Sequence, residues 1–162
     1  MGHNYLGLAD ILKANCGTLD IRGVAHKGFF ASITDFPSYY AANMALLNYK
    51  SAQELFHDNW PIYTRTNDSC PTQYFNTADV KNSVISNGCQ IEGTVENSVI
   101  GRGCIIKKGA VVRNSVVLAE VTVGEGVHVE NEVVDKWAKL VHKKEIVSPT
   151  EQPGYIRRND TL

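Results

Sequence analysis

The residue types that most often carry out chemistry are few and scattered in this chain. A zinc site needs three or four ligands brought together, and neither the histidines nor the cysteines are spaced for one. The histidines are His3, His26, His57, His128 and His142, and the cysteines are Cys16, Cys70, Cys89 and Cys104. No two cysteines form a Cys-x-x-Cys pair. We therefore predict no metal site, and a reducing cytoplasm is the expected compartment.

Composition argues against two broad classes of partner. The 162 residues carry a formal net charge of −1 and 20% charged residues, so no basic surface for nucleic acid is predicted. The longest apolar runs are far shorter than the roughly 20 residues of a membrane-spanning helix, so no membrane contact is predicted. The length suits one ordinary domain, or a repeat array with a smaller appended segment.

A four-residue motif that recurs along the chain, called the repeated word below, gives the strongest structural signal. It occurs as Asn82-Ser83-Val84-Ile85, Asn97-Ser98-Val99-Ile100, Asn114-Ser115-Val116-Val117 and Asn131-Glu132-Val133-Val134. The word returns after 15, 17 and 17 residues, a period that is too short for two-helix repeats and suits a coil of about 17 residues. The asparagines are expected to stack at one corner, with each side chain bonded to the coil above or below.

β-branched residues continue this pattern every four to six positions. They are Val80, Ile85, Ile91, Val95, Ile100, Ile106, Val112, Val117, Val123, Val129 and Val134. Residues two positions earlier are nearly all small, and residues two apart in a strand share a face. The pattern resembles that of hexapeptide-repeat proteins, which form a left-handed parallel β-helix. We therefore predict a mainly β fold with about three coils over residues 78–140; an ordinary β-sandwich is the alternative.

One side of the predicted tube carries an unusual outward surface. The residue just before each interior position faces outward, and on this side it is always valine. The four positions, called the valine stripe below, are Val84, Val99, Val116 and Val133. An all-valine stripe is not typical of a solvated surface. We predict that it forms an interface with the N-terminal segment or with another subunit.

Three interior positions carry predictions of their own. Cys89 and Cys104 occupy matching positions one coil apart, so either a disulfide or two packed thiols could form there. Glu132 replaces serine in the last word. We expect such a polar substitution in a terminal coil that meets solvent or a partner.

The N-terminal 62 residues have the pattern of a small α/β segment. The predicted elements are helices at residues 6–13, from Thr34 or Asp35 to Leu47 and at 51–56, with strands at 19–24 and 28–33. Residues 63–77 are predicted to be a linker, and residues 141–162 a C-terminal tail. Such short elements cannot bury a stable core alone. The segment therefore has the character of the end of a larger α/β domain whose main sheet lies elsewhere.

The order of these motifs resembles a known enzyme family. Gly28-Phe29-Phe30 is followed by Ala42-Asn43-Met44-Ala45-Leu46-Leu47, by Asn59-Trp60-Pro61-Ile62 and then by the hexapeptide coils. This order resembles the C-terminal portion of glucose-1-phosphate adenylyltransferase, from about Tyr5 to the end of the chain. The resemblance implies that residues 1–62 are the C-terminal remnant of a nucleotidyltransferase domain, in a cytoplasmic protein of glycogen or starch synthesis.

One position separates this chain from the catalytic members of that family. Their motif Gly-Tyr-Trp-x-Asp-x-Gly-Thr contains an aspartate that is understood to help hold the catalytic Mg²⁺. Here the stretch reads Gly28-Phe29-Phe30-Ala31-Ser32-Ile33-Thr34-Asp35. Ser32 stands at the aspartate position, and its hydroxyl is uncharged at pH 7. Asp35 lies three residues further on, where we expect it to cap a helix.

The resemblance therefore implies a non-catalytic, GlgD-type subunit. Such a subunit pairs with a catalytic glucose-1-phosphate adenylyltransferase subunit and modulates it, so a homo- or hetero-oligomer is expected. No catalytic residue is assigned, and Mg²⁺ and ATP would belong to the catalytic partner. The family's glycine-rich nucleotide loop and its sugar-phosphate lysine belong to a region outside this chain.

Candidate effector contacts follow from the same resemblance. Plant-type relatives have an Asp-Lys pair after the last coil that contributes to binding an anionic activator, and Asp135-Lys136 occupies the matching place. With Arg157 and Arg158 nearby, these four residues are candidate effector-binding residues, because a sugar phosphate needs basic partners. A solvated basic tail is the alternative.

Other functions remain open at this point. The chain could belong to a catalytic sugar nucleotidyltransferase, including a mannose- or N-acetylglucosamine-type enzyme, or serve purely as an assembly module. Many hexapeptide coils are acyltransferases that use a histidine as general base. The coil here offers only His128, which is predicted to face outward. A γ-type carbonic anhydrase would need three convergent histidines.

Overall fold

The computed structural model describes residues 7–56, 59–64 and 66–162, and its fold is mainly β. In these residues three helices precede fifteen short strands. The helices are α1 (Leu8–Asn15), α2 (Phe36–Ala45) and α3 (Tyr49–Leu55). None of the helices in the described ranges has the length and apolar character needed to cross a membrane.

The strands form three parallel sheets of five strands each. The first sheet contains β1 (Gln73–Tyr74), β4 (Gln90–Ile91), β7 (Ile105–Ile106), β10 (Thr122–Val123) and β13 (Lys139–Leu140). The second contains β2 (Asp79–Lys81), β5 (Thr94–Glu96), β8 (Val111–Arg113), β11 (His128–Glu130) and β14 (Glu145–Val147). The third contains β3 (Val84–Ile85), β6 (Val99–Ile100), β9 (Val116–Val117), β12 (Glu132–Val134) and β15 (Gly154–Ile156). The chain visits the three sheets in turn, which is the predicted β-solenoid.

The solenoid interior consists of the β-branched columns predicted from the sequence. Nine of the eleven predicted residues, from Ile91 to Val134, are completely buried. The other two, Val80 and Ile85, lie in the first coil and are partly buried. Each parallel pair keeps the predicted register, for example Ile100 beside Val117. At roughly 25 cal/mol per Å² of apolar surface, burial of these columns is the main stabilising contribution.

The asparagines of the repeated word form one corner of the solenoid. All four adopt the left-handed backbone conformation, with φ between 43° and 57°, which asparagine tolerates better than most residues. The side-chain amide of Asn82 donates to the side-chain oxygen of Asn97 at 2.7 Å. That of Asn131 donates to the carbonyl of Ser148 at 2.8 Å. The predicted bonding between neighbouring coils is thus confirmed for these two asparagines.

The serines of the word connect successive coils through their hydroxyl groups. The hydroxyl of Ser83 accepts from the amide of Ser98, and the hydroxyl of Ser98 accepts from the amide of Ser115, both at 3.1 Å. The hydroxyl of Ser115 accepts from the amide of Glu132 at 3.1 Å. Each buried hydroxyl also donates to a carbonyl two residues earlier. Serine is therefore both the small and the polar residue that this interior edge requires.

Glu132 does not face solvent or a partner, and that prediction was wrong. Its side chain is 4% exposed because β14 and β15 continue the solenoid beyond it. Its carboxylate accepts from the hydroxyl of Ser148 at 2.6 Å. Burial raises the pKa of this carboxyl, and the hydrogen bond from Ser148 offsets part of that shift.

The solenoid extends beyond both predicted limits. It begins at Gln73, inside the predicted linker, and continues to Ile156, inside the predicted tail. The sequence limits of 78 and 140 were too narrow, and about three coils was an underestimate. The extra coils lack the repeated word, and residues 148–153 lengthen the last coil. The pattern was therefore not visible at the two ends.

The N-terminal segment contains the expected helices but not the expected strands. Residues 19–34 include no strand, although strands were predicted at 19–24 and 28–33. A strand needs a neighbour for its amide and carbonyl groups, and no sheet lies beside this stretch in the described ranges. All three helices lack buried residues.

Candidate functional site

The valine stripe lies on the outer face of the third sheet, and its environment changes along the stripe. Val116 and Val133 are buried, Val99 is half-buried and Val84 is 46% exposed. The helix α2 packs against β9, and its first residue, Phe36, meets Tyr155 of β15 edge-on with ring centroids 5.9 Å apart. Because β12 lies between β9 and β15, the helix lies over the buried half of the stripe.

Local sequence signals set the start of α2. The carboxylate of Asp35 accepts from the amide of Ser38 at 2.8 Å, and the hydroxyl of Ser38 accepts from the amide of Asp35 at 3.0 Å. This capping box, with proline at the next position but one, fixes where the helix begins. The hydrogen bonds from Ser38 lower the pKa of the Asp35 carboxyl. The predicted cap is confirmed.

One hydrogen bond anchors α2 to the solenoid. The hydroxyl of Tyr40 donates to the carbonyl of Asn114 at 2.5 Å, at the asparagine corner. Partial burial raises the pKa of Tyr40. Neither Tyr40 nor Phe36 was identified as a contact residue from the sequence. The sequence feature that could have identified them is their spacing of four residues, which places both side chains on the same face of the helix.

Ser32 lies in the extended stretch before α2, and its side chain is exposed. The neighbouring acid, Asp35, is already occupied by its helix cap. Around these residues, an apolar groove of about 530 Å³ is lined by aromatic and aliphatic side chains. The groove-lining residues include Phe29, Phe30, Ile33, Tyr39, Leu46 and Leu55. Ala31 and Ile33 also line this groove, whereas the exposed Ser32 between them does not.

A second candidate site is the basic corner, defined as Lys136, Trp137 and Arg158. Lys136 and Trp137 lie in the turn between β12 and β13, where Trp137 has a φ of 61°. The guanidinium carbon of Arg158 lies 4.1 Å from the centre of the Trp137 ring, a cation–π contact. A cavity of about 390 Å³ opens beside the corner. It is lined by Thr66, Asn67, Arg102, Ala119, Glu120, Lys136 and Trp137.

The four predicted effector residues are only partly brought together. Lys136 lines the cavity, whereas Arg157 and Arg158 do not; Arg158 lies against the ring of Trp137, which does line it. Asp135 accepts hydrogen bonds from the amide of Lys136 at 2.7 Å and from the hydroxyl of Tyr155 at 2.8 Å. These bonds lower the pKa of Asp135. Trp137 was missed from the sequence, although it directly follows Asp135-Lys136.

Among the residues that the structure describes, the cysteines and histidines form no cluster that could hold a metal ion. Cys89 and Cys104 are buried free thiols, which donate to the carbonyls of Gly101 and Leu118. The hydrogen bond with Cys89 and burial together raise the pKa of Cys104. His128 lies on the outer face of the second sheet, 3.2 Å from the carboxylate of Glu130. His3 and His57 lie outside the described residues.

Comparison with known proteins places this arrangement in a family. The family model described as GlmU-like, C-terminal hexapeptide matches residues 71–152. A glycogen biosynthesis protein GlgD from Bacillus subtilis is 32% identical over 160 residues, which cover 97% of this chain and 47% of that protein. A GlgD protein from Geobacillus stearothermophilus is 37% identical over 110 residues, 68% of this chain and 32% of that protein.

A glucose-1-phosphate adenylyltransferase from Fervidobacterium nodosum is also similar, with 37% identity over 108 residues, 67% of this chain and 26% of that protein. The chain spans less than half the length of each of these relatives. The resemblance predicted from the sequence motifs is confirmed, since relatives with both names match most of the chain. The chain belongs to the GlmU-like C-terminal hexapeptide family.

Proposed function

We propose that this chain is the C-terminal regulatory and oligomerisation part of a non-catalytic subunit of glucose-1-phosphate adenylyltransferase. It assembles in the cytoplasm with a catalytic subunit and modulates ADP-glucose synthesis for glycogen. Similarity to GlgD over 97% of the chain supports this assignment over other hexapeptide functions.

The observation that carries the proposal is the environment of Ser32. An ion such as Mg²⁺ requires carboxylate or other strong oxygen ligands. The side chain at this position is an exposed hydroxyl, and the carboxylate of Asp35 is already bonded to the amide of Ser38. The residues present therefore do not fit a catalytic Mg²⁺ site. The metal and ATP belong to the catalytic partner.

The exposed side chains of the N-terminal segment support its assignment as the remnant of a larger domain. Phe30, Trp60 and Val24 are 77%, 74% and 93% exposed, and an apolar groove lies between α2 and the stretch before it. Contiguous apolar surface of this kind marks an interface. Residues 1–62 are the end of a nucleotidyltransferase-like domain that covers this surface.

The valine stripe then has two roles in assembly. Its buried half, Val116 and Val133, holds α2 and with it the nucleotidyltransferase-like domain. Its exposed half, Val84 and Val99, is left for a neighbouring subunit. The structure supports this division because burial falls steadily toward Val84.

The basic corner is the candidate site for an anionic effector. Lys136 lines the cavity together with Glu120, and Arg158 lies behind the Trp137 ring; the two positive charges would favour a phosphate group. A chain of contacts leads from this corner to α2. The amide of Lys136 and the hydroxyl of Tyr155 both donate to the carboxylate of Asp135, and the ring of Tyr155 packs on Phe36. An effector at the corner could thus alter the position of the helix that follows Ser32.

The test combines the complete natural polypeptide with a catalytic glucose-1-phosphate adenylyltransferase subunit. Alone, the polypeptide is expected to form no ADP-glucose. Mixed with the catalytic subunit, it is expected to co-elute with it and to change its rate or its response to a sugar-phosphate activator. ADP-glucose formation by the polypeptide alone, at a rate typical of catalytic subunits, would contradict the proposal and favour a catalytic nucleotidyltransferase.

A variant pair separates regulation from assembly in the same assay. Lys136→Gln removes the charge at the basic corner, so the complex should form but show a weakened activator response. Lys139→Gln is the matched control, since this exposed lysine lies on β13 and does not line the cavity. If both variants keep the wild-type activator response, the corner is not the effector site. If wild-type polypeptide changes neither rate nor response, the chain is an inert assembly module.

A further inference from the structure

Two cysteines are neighbours in the interior of the solenoid. Cys89 comes directly before β4, and Cys104 comes directly before β7. These strands are paired in register, with Gln90 beside Ile105. The amide of Gln90 donates to the carbonyl of Cys104 at 2.9 Å, so the two cysteines occupy the same position one coil apart. Neighbouring strands lie about 4.8 Å apart, which falls within the Cα–Cα range of roughly 4.4–6.8 Å that disulfide bonds span.

The two thiols make the same hydrogen bond in successive coils. The thiol of Cys89 donates to the carbonyl of Gly101 at 3.1 Å, and the thiol of Cys104 donates to the carbonyl of Leu118 at 3.0 Å. Gly101 and Leu118 are themselves equivalent positions, because each directly follows the paired strands β6 and β9. The two cysteine side chains therefore have the same orientation and stack on each other in the interior, where they are 1% and 0% exposed.

The column that contains these thiols offers each of them one thiol neighbour. The preceding coil has Thr72 at this position and the following coil has Val121, as the backbone hydrogen bonds of β1 and β7 show. Neither residue can form a disulfide. Cys16 and Cys70 are exposed and lie outside this column. A cross-link within the column can therefore join only Cys89 to Cys104.

The two thiols differ in reactivity. A thiolate at Cys89 can accept from the thiol of Cys104, and this contact lowers the pKa of Cys89. The same contact and burial raise the pKa of Cys104. Cys89 is also nearer to the open end of the solenoid, where β1, β2 and β3 are edge strands and the interior residue Tyr74 is 55% exposed. Because the thiolate is the form that reacts with oxidants, Cys89 is the thiol that reacts first.

We propose that Cys89 and Cys104 form a reversible disulfide in response to hydrogen peroxide, joining two successive coils. The Cys89 thiolate attacks the peroxide, so that an S–O bond forms and the O–O bond breaks. The hydroxide that leaves takes up the proton released by Cys89 and becomes water. The sulfur of Cys104 then attacks the sulfenic acid, so that the S–S bond forms, the S–O bond breaks and the second hydroxide leaves with the thiol proton as water. Two molecules of a thiol reductant restore both cysteines and leave as their own disulfide.

The disulfide would limit opening of the solenoid from its N-terminal end. The strands β1, β2 and β3 form the terminal coil, which has a neighbouring coil on one side only. A coil of this kind opens more easily than the interior coils. The bond joins the second coil to the third and closes a loop from residue 89 to residue 104. Opening that begins at the edge strands is then confined to the terminal coil.

The experiment uses the full 162-residue chain with Cys16→Ser and Cys70→Ser, two exposed positions whose substitution leaves only the interior thiols. Treated with hydrogen peroxide at neutral pH, the folded monomer should lose the mass of two hydrogen atoms, and dithiothreitol should restore it. Peptide mapping without reductant should recover the peptides of Cys89 and Cys104 joined. The amides of Gln90 and Glu92 bond across the β4–β7 pair, and in the oxidised chain they should exchange about tenfold more slowly or less.

Single variants in the same background separate the two roles. Cys104→Ser leaves Cys89 without a second thiol, so Cys89 should stop as a sulfenic acid that dimedone traps. Cys89→Ser is the matched control, and Cys104 should then stay unmodified under the same treatment. Interior thiols that are oxidised only after unfolding in urea would overturn the proposal. So would a disulfide that leaves the exchange of Gln90 and Glu92 unchanged.

Discussion

From Ile91 to Val134 the solenoid completely buries the side chains of its interior columns, whereas the three helices that precede it bury none of their residues. Ile100 lies in the middle of the solenoid with 0% exposure, while Leu12 of α1 is 41% exposed. Both residues are aliphatic and both belong to regular elements. The difference is that Ile100 has a coil on either side, whereas α1 buries no residue against the rest of the described chain.

This contrast shows that, in a repeat, neighbouring coils provide the packing contacts that bury each other's side chains. Each interior residue packs on the same position one coil above and one coil below, so stability grows with the number of neighbouring coils. An isolated helix of eight or ten residues is marginal in water and depends on tertiary packing. The N-terminal segment can have that packing only where α2 touches the solenoid or where a further domain covers it.

The largest expected effect comes from removing side-chain volume in the middle of the solenoid. Ile100→Ala leaves a cavity between two coils that cannot collapse onto it, so the free energy of unfolding should fall by about 2–5 kcal/mol. Leu12→Ala is the matched control and should change it by less than about 0.5 kcal/mol. Urea unfolding followed by far-UV circular dichroism measures both. Equal losses would mean that α1 is packed as firmly as the solenoid.

Substitution of one glycine in each region tests the same comparison with a smaller expected effect. A Cβ at Gly93 would lie 2.5 Å from the carbonyl oxygen of Ala110 and 2.8 Å from that of Lys107. These are backbone atoms of the next coil, so Gly93→Ala should cost about 1–3 kcal/mol of unfolding free energy. At Gly23 no atom lies within 4 Å.

Gly23→Ala should therefore be neutral or stabilise by no more than about 1 kcal/mol, through the unfolded chain. The shift in the midpoint of thermal unfolding compares the two variants directly. A loss at Gly23 as large as that at Gly93 would show that the N-terminal segment is closely packed, and the contrast between the two regions would disappear.

The interior of the solenoid was predictable because every coil repeats the same physical requirement. A β-branched residue, a small residue two positions earlier and an asparagine at the corner recur in register, so each copy reinforces the others. The two terminal coils were not predictable, because Tyr74 and Ile156 lie in stretches that lack the repeated word. The burial of Glu132 depended on those missed coils.

The candidate sites were less predictable than the fold. The capping role of Asp35 was readable from local sequence, because a cap involves only a few consecutive residues. The contacts of Tyr40 with Asn114 and of Trp137 with Arg158 join residues that are distant in sequence or lie in different turns. Such contacts depend on how elements pack, which no local pattern specifies.

The smallest expected effect concerns the contact between the two regions. Tyr40→Phe removes the hydrogen bond to the carbonyl of Asn114 and leaves the ring in place, so the docking of α2 should weaken by about 0.5–1.5 kcal/mol. Tyr39→Phe on the same helix is the control, because the hydroxyl of Tyr39 makes no hydrogen bond to another described residue.

Native-state hydrogen exchange should show α2 amides opening several-fold faster in Tyr40→Phe than in Tyr39→Phe, with unchanged protection around Ile100. Because the solenoid coils stabilise one another, detachment of α2 should leave the midpoint of solenoid unfolding nearly unchanged. If that midpoint instead falls by as much as the docking free energy, the helix and the solenoid unfold as one unit. The valine stripe would then be part of the solenoid core rather than a docking surface.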